Sequence, residues 1–274
     1  MPTLAQKLRK AMRRVFPGCV MHAQAVAFNM FLAFFPMLLF ALGLINATGW
    51  VQSEGRELPE RLNAILPPGS ERLILEYMIR HGAHSSSLIW LGLGGTLLAG
   101  TQVMIGLMDG FRIIASDSNR PPFWSRQLRA LLLLCLSIVP GVAAVTVTVF
   151  GRQLRTWMVA EFGLPHAMRI FAFIIFVVVE LLLALGVLAI VYYVGRSESV
   201  SAQHFFPGVL VATLLWWVVD ISFGWYVRHM PYNAVYGGLA TAIGLLLWMY
   251  MTALVVFVGA AYNVESERGG IRRA

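Results

Sequence analysis

The chain has 274 residues, of which 58% are hydrophobic and only 12% charged, and its formal net charge is +8. So few charges cannot cover a water-soluble globule of this size, which leaves lipid as the main solvent. The basic residues gather at the borders of apolar runs instead of interleaving with exposed aromatics, the pattern of a positive-inside membrane protein and not of a nucleic-acid binder.

Residues 1–24 come first. Leu4, Leu8 and Met12 recur every fourth position, Val15 and Phe16 widen the stripe, and Lys7, Arg9, Lys10, Arg13 and Arg14 surround it. This predicts a basic amphipathic helix. Lys7, Lys10, Arg13 and Arg14 are candidates to contact anionic lipid of the inner leaflet; a solvated tail that only sets topology fits the same residues. The following apolar run is too long for the core of a signal peptide and should stay in the membrane.

A hydrocarbon core of about 30 Å needs roughly 20 residues of apolar helix. Six runs qualify, near 25–48, 88–108, 128–150, 170–194, 206–227 and 235–262, and the last is long enough to tilt or protrude. Taking the N-terminus as cytoplasmic, 13 of the 21 Lys and Arg fall inside and eight outside, which predicts both termini in the cytoplasm. The fold class is therefore an all-α integral membrane protein. Residues 25–268 form a bundle of six transmembrane helices and 269–274 a cytoplasmic tail.

Between the first two spans lies the long outer loop 51–87, which Pro67, Pro68 and Gly69 split in two. Leu58, Leu62, Ile65 and Leu66 mark one short amphipathic helix, and Leu73, Tyr77 and Met78 a second. They suit either a lid packed on the bundle or a surface that docks an envelope protein. Span two carries Gly92, Gly94, Gly95, Gly100 and Gly106, a face for close helix approach that serves internal packing or homo-oligomerisation equally. Pro36 in span one and Pro140 in span three should kink or hinge their helices.

Charged side chains at membrane depth are costly and need an explanation. Glu180 in span four and Asp220 in span five are two such acids, and neither has a basic residue beside it in its own run. Each is either a proton- or cation-binding group on a substrate path or a neutral carboxylic acid bonded to a neighbouring helix. Asn29, Gln102 and Tyr250 are further polar candidates for a substrate path. No nucleophile with a base and no phosphate-binding loop occurs, and the two cysteines, Cys19 and Cys135, lie far apart. The HxxH pair His81 and His84 is weak as a metal motif. The reading is a non-enzyme without metal or cofactor.

The strongest pattern lies in the last third. There Pro207-Gly208, Trp216, Phe223, Tyr226, Tyr232-Asn233, Tyr236-Gly237, Trp248, Tyr250, Gly259-Ala260 and Asn263 follow one another, with Pro36 in an aromatic first span. Over roughly 22–268 the sequence resembles the YihY/BrkB family of bacterial inner-membrane proteins, once also called ribonuclease BN. Tyr262 stands where the family has an acid, so no role is carried onto it. The resemblance implies a six-helix protein of the cell envelope, linked by name to virulence or serum resistance in some members, with no assigned catalytic set. The nuclease label finds no support in these residues. The leading expectation is a transporter-like protein that binds or translocates a lipid or amphiphilic anion, with membrane lipids as partners and no nucleic acid. A noncatalytic envelope scaffold is the alternative, and a membrane-associated nuclease comes third.

Overall fold

In lipid, a spanning segment must satisfy its backbone hydrogen bonds within itself, so apolar runs of this length fold as helices. The computed structural model describes residues 4–16, 18–47, 85–119, 121–162, 166–197, 205–229 and 238–271. All regular structure among them is helical: α1 (Leu4–Val15), α2 (Val20–Ala47), α3 (Ser85–Ala115), α4 (Phe123–Phe162), α5 (His166–Gly195), α6 (Phe206–His229) and α7 (Gly238–Ile271). The last six are each long and apolar enough to cross a membrane, one for each predicted run. The outer helices expected between Leu58 and Met78, and the His81/His84 pair, lie outside the described residues.

Helix ends differ from expectation: α3 reaches Ala115 and α7 reaches Ile271, and the largest difference is in α4. The third helix was expected to end near 150, but α4 runs 40 residues to Phe162, roughly 60 Å at 1.5 Å per residue. No helix breaker stands between Gly151 and Phe162, so the helix continues through Arg152 and Arg155 to the Gly-Leu-Pro at 163–165. Pro36 and Pro140 both lie inside continuous helices, α2 and α4.

The chain forms two compact units. One comprises Met21–Gly106 and Val218–Ala253. Its α2 and α3 are antiparallel, with small residues set against large ones at every step. A Cβ on Gly43 would lie 2.9 Å from Ile89, one on Gly95 2.7 Å from Pro36, and one on Gly106 2.7 Å from Val26. Gly92 faces the backbone of Phe40 in the same way, whereas Gly94 meets nothing. Lipid gives helices no hydrophobic drive to associate, so this interlock supplies the attraction through van der Waals contact. Pro36 thus serves as a packing surface. Thr96 and Thr101 keep their hydroxyls satisfied by donating to Gly92 O at 2.7 Å and Leu97 O at 2.6 Å, one turn back.

The other unit comprises Met1–Val20, Leu107–Trp217 and Leu254–Ala274. Phe111 is its hub, edge-on to Tyr192 at 5.6 Å and to Phe257 at 6.0 Å. Ala11 and Val15 of α1, and Cys19 just after it, are fully buried here, so α1 packs on protein through a face that shares only Val15 with the most buried part of the predicted stripe, whereas Met12 and Phe16 of that stripe are exposed. Arg9, Lys10, Met12, Arg13 and Phe16 form its exposed side. Where α6 meets α7, a Cβ on Gly259 would come within 2.6 Å of Gly208 O and one on Gly208 would strike Gly259 O. That closeness lets Asn263 Oδ1 accept the Gly208 N–H at 2.6 Å, satisfying a donor in the first turn of α6 beside Pro207, which has none. α3 ends with Ser116 in the left-handed region at φ 60°, and the bonds Asp117 N–H to Arg112 O and Ser116 N–H to Ile113 O, both 3.0 Å, close its last turn.

Three outcomes test this packing. Gly208→Ala should destabilise the detergent-solubilised protein by about 1–3 kcal/mol, because neither backbone can retreat; Gly186→Ala, whose Cβ meets nothing, should be near neutral, with both read by thermal unfolding. Ser116→Gly should raise stability by about 1 kcal/mol by relieving the left-handed serine. Burial pushes the Cys19 thiol up to about 11 from 9.0, so alkylation at pH 8 should run on the order of 100-fold slower than at an ordinary thiol and accelerate up to that pH.

Candidate functional site

Polar side chains concentrate in two places, one in each unit. In the first, α6 brings Asp220 and α7 brings Trp248, and the indole Nε1 donates to Asp220 Oδ1 at 2.7 Å. The carboxyl is half-buried. A neutral N–H donor favours the acid at membrane depth without importing a second charge to be desolvated. Asn29 and Tyr250, in the same unit, are half-buried as well, while Gln102 is exposed.

Glu180 belongs to the other unit and lies in a stretch of α5 whose Val177, Val178, Val179, Leu181 and Leu182 are all exposed. Glu180 is itself exposed. Ser137 Oγ in α4, Trp216 Nε1 in α6 and Thr252 Oγ1 in α7 are among the buried polar atoms without a hydrogen-bond partner among the described residues.

The second concentration is built from arginines at helix ends, and its logic is the unsatisfied carbonyls of a helix C-terminus. Arg129 of α4 spans the end of α5, donating from Nε to Val194 O and from Nη2 to Arg196 O, both at 2.8 Å. Arg14 of α1 donates to Ile114 O in the last turn of α3 at 2.7 Å and pairs with Glu265 of α7 at 2.9 Å. Lys7 lies 5.9 Å from the centre of the Tyr262 ring. Of the four basic residues expected to meet lipid, Lys7 and Arg14 thus engage protein, and Lys10 and Arg13 are on the exposed side of α1.

Around this frame Asp109 pairs with Arg126 and lies 3.6 Å from Arg112, one turn on. Asp117 accepts from Ser197 Oγ and, at 2.9 Å, from the Asn119 N–H. Arg196 stacks over Tyr193, 4.9 Å from its centre, and donates to the Tyr193 carbonyl. Two cavities of about 30 Å³ flank Arg196 and Ser197, one walled mainly by polar and charged side chains and one mainly by Phe111, Tyr192, Phe205 and Val264. Tyr192, which lines the second, donates to Val256 O of α7 at 2.7 Å.

Sequence reasoning singled out Asp220 as a candidate but Trp248 only as part of the family pattern, because it is 28 residues away and carries no local signal of the pairing. Arg129, Arg112, Asp117 and Ser197 were also missed; an arginine at a helix end next to a Ser-Asp or Gly-Arg-Ser turn is the signal that could have raised them. Among the described residues no three His, Cys, Asp or Glu side chains group as a metal site.

Comparison with known proteins places these features in a family. A family model described as virulence factor BrkB matches residues 17–273. A UPF0761 membrane protein of Ralstonia nicotianae is 27% identical over 262 residues, covering 94% of this chain and 58% of its own length. UPF0761 membrane proteins of Aeromonas salmonicida and Haemophilus influenzae are each 23% identical, covering 86% and 87% of this chain and 79% and 86% of their own lengths. The chain thus spans little more than half of the Ralstonia relative, and no solved structure matches it. With the family model matching almost from end to end and six membrane-length helices beneath it, the chain belongs to the BrkB family of membrane proteins.

Proposed function

We propose that this protein binds an anionic lipid or amphiphilic anion of the cell envelope and moves it across the inner membrane, without catalysing a reaction on it. The observation that carries the reading is Asp220, an ionisable group held inside a span by the neutral Trp248 indole. An acid kept at membrane depth is expensive unless its charge or proton is used, and passage of a charged head group is one such use. Thr252 Oγ1, in the same unit as Asp220, supports it as a buried polar atom without a hydrogen-bond partner among the described residues that a moving head group could satisfy. The arginine-rich helix ends of the other unit, placed by this reading in the cytoplasm, supply an electrostatic attraction for the anion.

Native mass spectrometry of protein released directly from membranes tests this. Asp220→Asn keeps an acceptor oxygen for Trp248 while removing the charge and the titratable proton, so folding should survive. Wild type should retain a defined anionic lipid in stoichiometric amount, and the variant should hold it roughly tenfold more weakly. Equal, unselective lipid on both proteins, with a tightly held protein partner instead, would replace lipid handling by an envelope scaffold.

A further inference from the structure

The sequence puts a single apolar stripe on α1, and the structure divides it. With about 100° between successive residues, Ala11 and Val15 form one row along the helix, Met12 and Phe16 a second about 100° on, and Arg9 and Arg13 a third about 60° further. The first row is fully buried on protein, whereas Met12 and Phe16 are 47% and 46% exposed and Arg9, Lys10 and Arg13 are exposed as well. The exposed apolar row therefore lies between the protein contact and the cations. Two large apolar side chains one turn apart, beside a basic row, make a second amphipathic surface on the same helix.

Contacts within the unit fix the level of that surface. Arg14 donates to Ile114 O in the last turn of α3, and a Cβ on Gly18 would lie 3.8 Å from the side chain of Ile113, itself exposed. α1 thus runs where a span ends. An independent marker stands on α4, whose Arg126 pairs with Asp109 of α3. About 3 Å before Arg126 along that helix is Trp124, exposed and edge-on to the exposed Phe123 at 5.5 Å. An exposed tryptophan at a span end marks the head-group level, and α1 touches α3 within about one turn of it.

We propose that the exposed face of α1 docks on anionic phospholipid. Met12 and Phe16 enter the boundary between head groups and acyl chains, and Arg9, Lys10 and Arg13 meet the phosphates of the leaflet on that side. Lys7 and Arg14 are taken by Tyr262, Ile114 O and Glu265, so the charge of the surface comes from the three cations that face away from protein. A nucleic-acid backbone would meet the same cations but leave the apolar row uncovered, whereas a leaflet satisfies both. The docking goes beyond the function proposed above and does not rest on it, because α1 belongs to one unit and Asp220 to the other.

The test places an environment-sensitive fluorophore on Met12→Cys of the full chain in a Cys135→Ser background, Cys19 being fully buried. Its quenching is followed in nanodiscs of phosphatidylglycerol or of phosphatidylcholine. Nitroxide-bearing lipid should quench at least about twofold more in phosphatidylglycerol, and dissolved acrylamide correspondingly less. Joint replacement Arg9→Gln, Lys10→Gln and Arg13→Gln should bring the phosphatidylglycerol value down to that in phosphatidylcholine. Arg9→Lys with Arg13→Lys should keep it, since the attraction is one of charge and not of guanidinium geometry. Raising salt from about 0.1 M to about 1 M shortens the screening length from about 10 Å to about 3 Å and should act as the Gln replacements do, with no altered basic residue needing to fold. Asp220→Asn should leave the probe unchanged.

Strong acrylamide quenching in both lipids without quenching from the lipid overturns the proposal, as a solvated face. Protection from both quenchers overturns it in favour of a covering protein such as a second copy. Lipid quenching that is equal in the two lipids and indifferent to the Gln replacements overturns recognition of anionic head groups. Any of these can accompany native mass spectra in which lipid retention depends on Asp220, a result that leaves the proposed function standing. Docking without Asp220-dependent lipid has the reverse meaning.

Discussion

A helix that leaves lipid ends in carbonyls that nothing within the helix can satisfy, and the arginine-bearing unit is organised around that deficit. Arg129 closes the end of α5 and Arg14 the end of α3, while Arg268 lies 3.5 Å from Ala115 O. Each capping arginine comes from a different helix than the one it caps. The caps are therefore also crosslinks, joining α4 to α5, α1 to α3 and α7 to α3. Cations are favoured at helix C-termini by the macrodipole as well, so the same residue meets a hydrogen-bonding need and an electrostatic one. Positive charge at a membrane border is usually discussed as a determinant of orientation; here much of it is committed to holding helices together.

The two polar regions solve different problems with different chemistry. Asp220 and Trp248 meet where a further ion would have to be desolvated, and a neutral indole donor is the economical partner. At the helix ends, Arg meets Asp or Glu, and groups such as Asp109 and Arg14 have more than one partner, so the cost of burial is spread. Asn263 shows a third solution, an amide that serves the first turn of α6 across a glycine contact too narrow for any larger residue.

The six spans were legible in the sequence because each is a window of about 20 residues in which local composition decides the outcome. The antiparallel glycine seam was half legible: Gly92, Gly95 and Gly106 announced close approach, but their partners Phe40, Pro36 and Val26 could be assigned only from the fold. What escaped depends on separation along the chain. Trp248 lies 28 positions from Asp220 and Arg129 lies 65 from Val194, distances at which no periodicity reports a contact. For α1 the amphipathic character was legible but not the split of its apolar residues, since an apolar face is equally suited to a leaflet or to protein: Val15, with Ala11, is buried on protein, whereas Met12 and Phe16 of the predicted stripe are exposed. Asn263 was noticed only through the family pattern, because an asparagine near a helix end has no local mark of the N–H it caps 55 residues earlier.

The seam between α2 and α3 also governs how such a chain can diverge. Its partners run Gly43 with Ile89, Phe40 with Gly92, Pro36 with Gly95 and Val26 with Gly106, so residue numbers on the two helices add to a nearly constant value. One residue inserted between Val26 and Pro36 would rotate everything beyond it by roughly 100° and advance it by about 1.5 Å. Every later large side chain would then confront the wrong neighbour. Lineages carrying this seam can exchange a glycine and its bulky partner together, but they cannot alter the length of either helix between its first and last interlocking pair. Alignment gaps among relatives belong outside those limits.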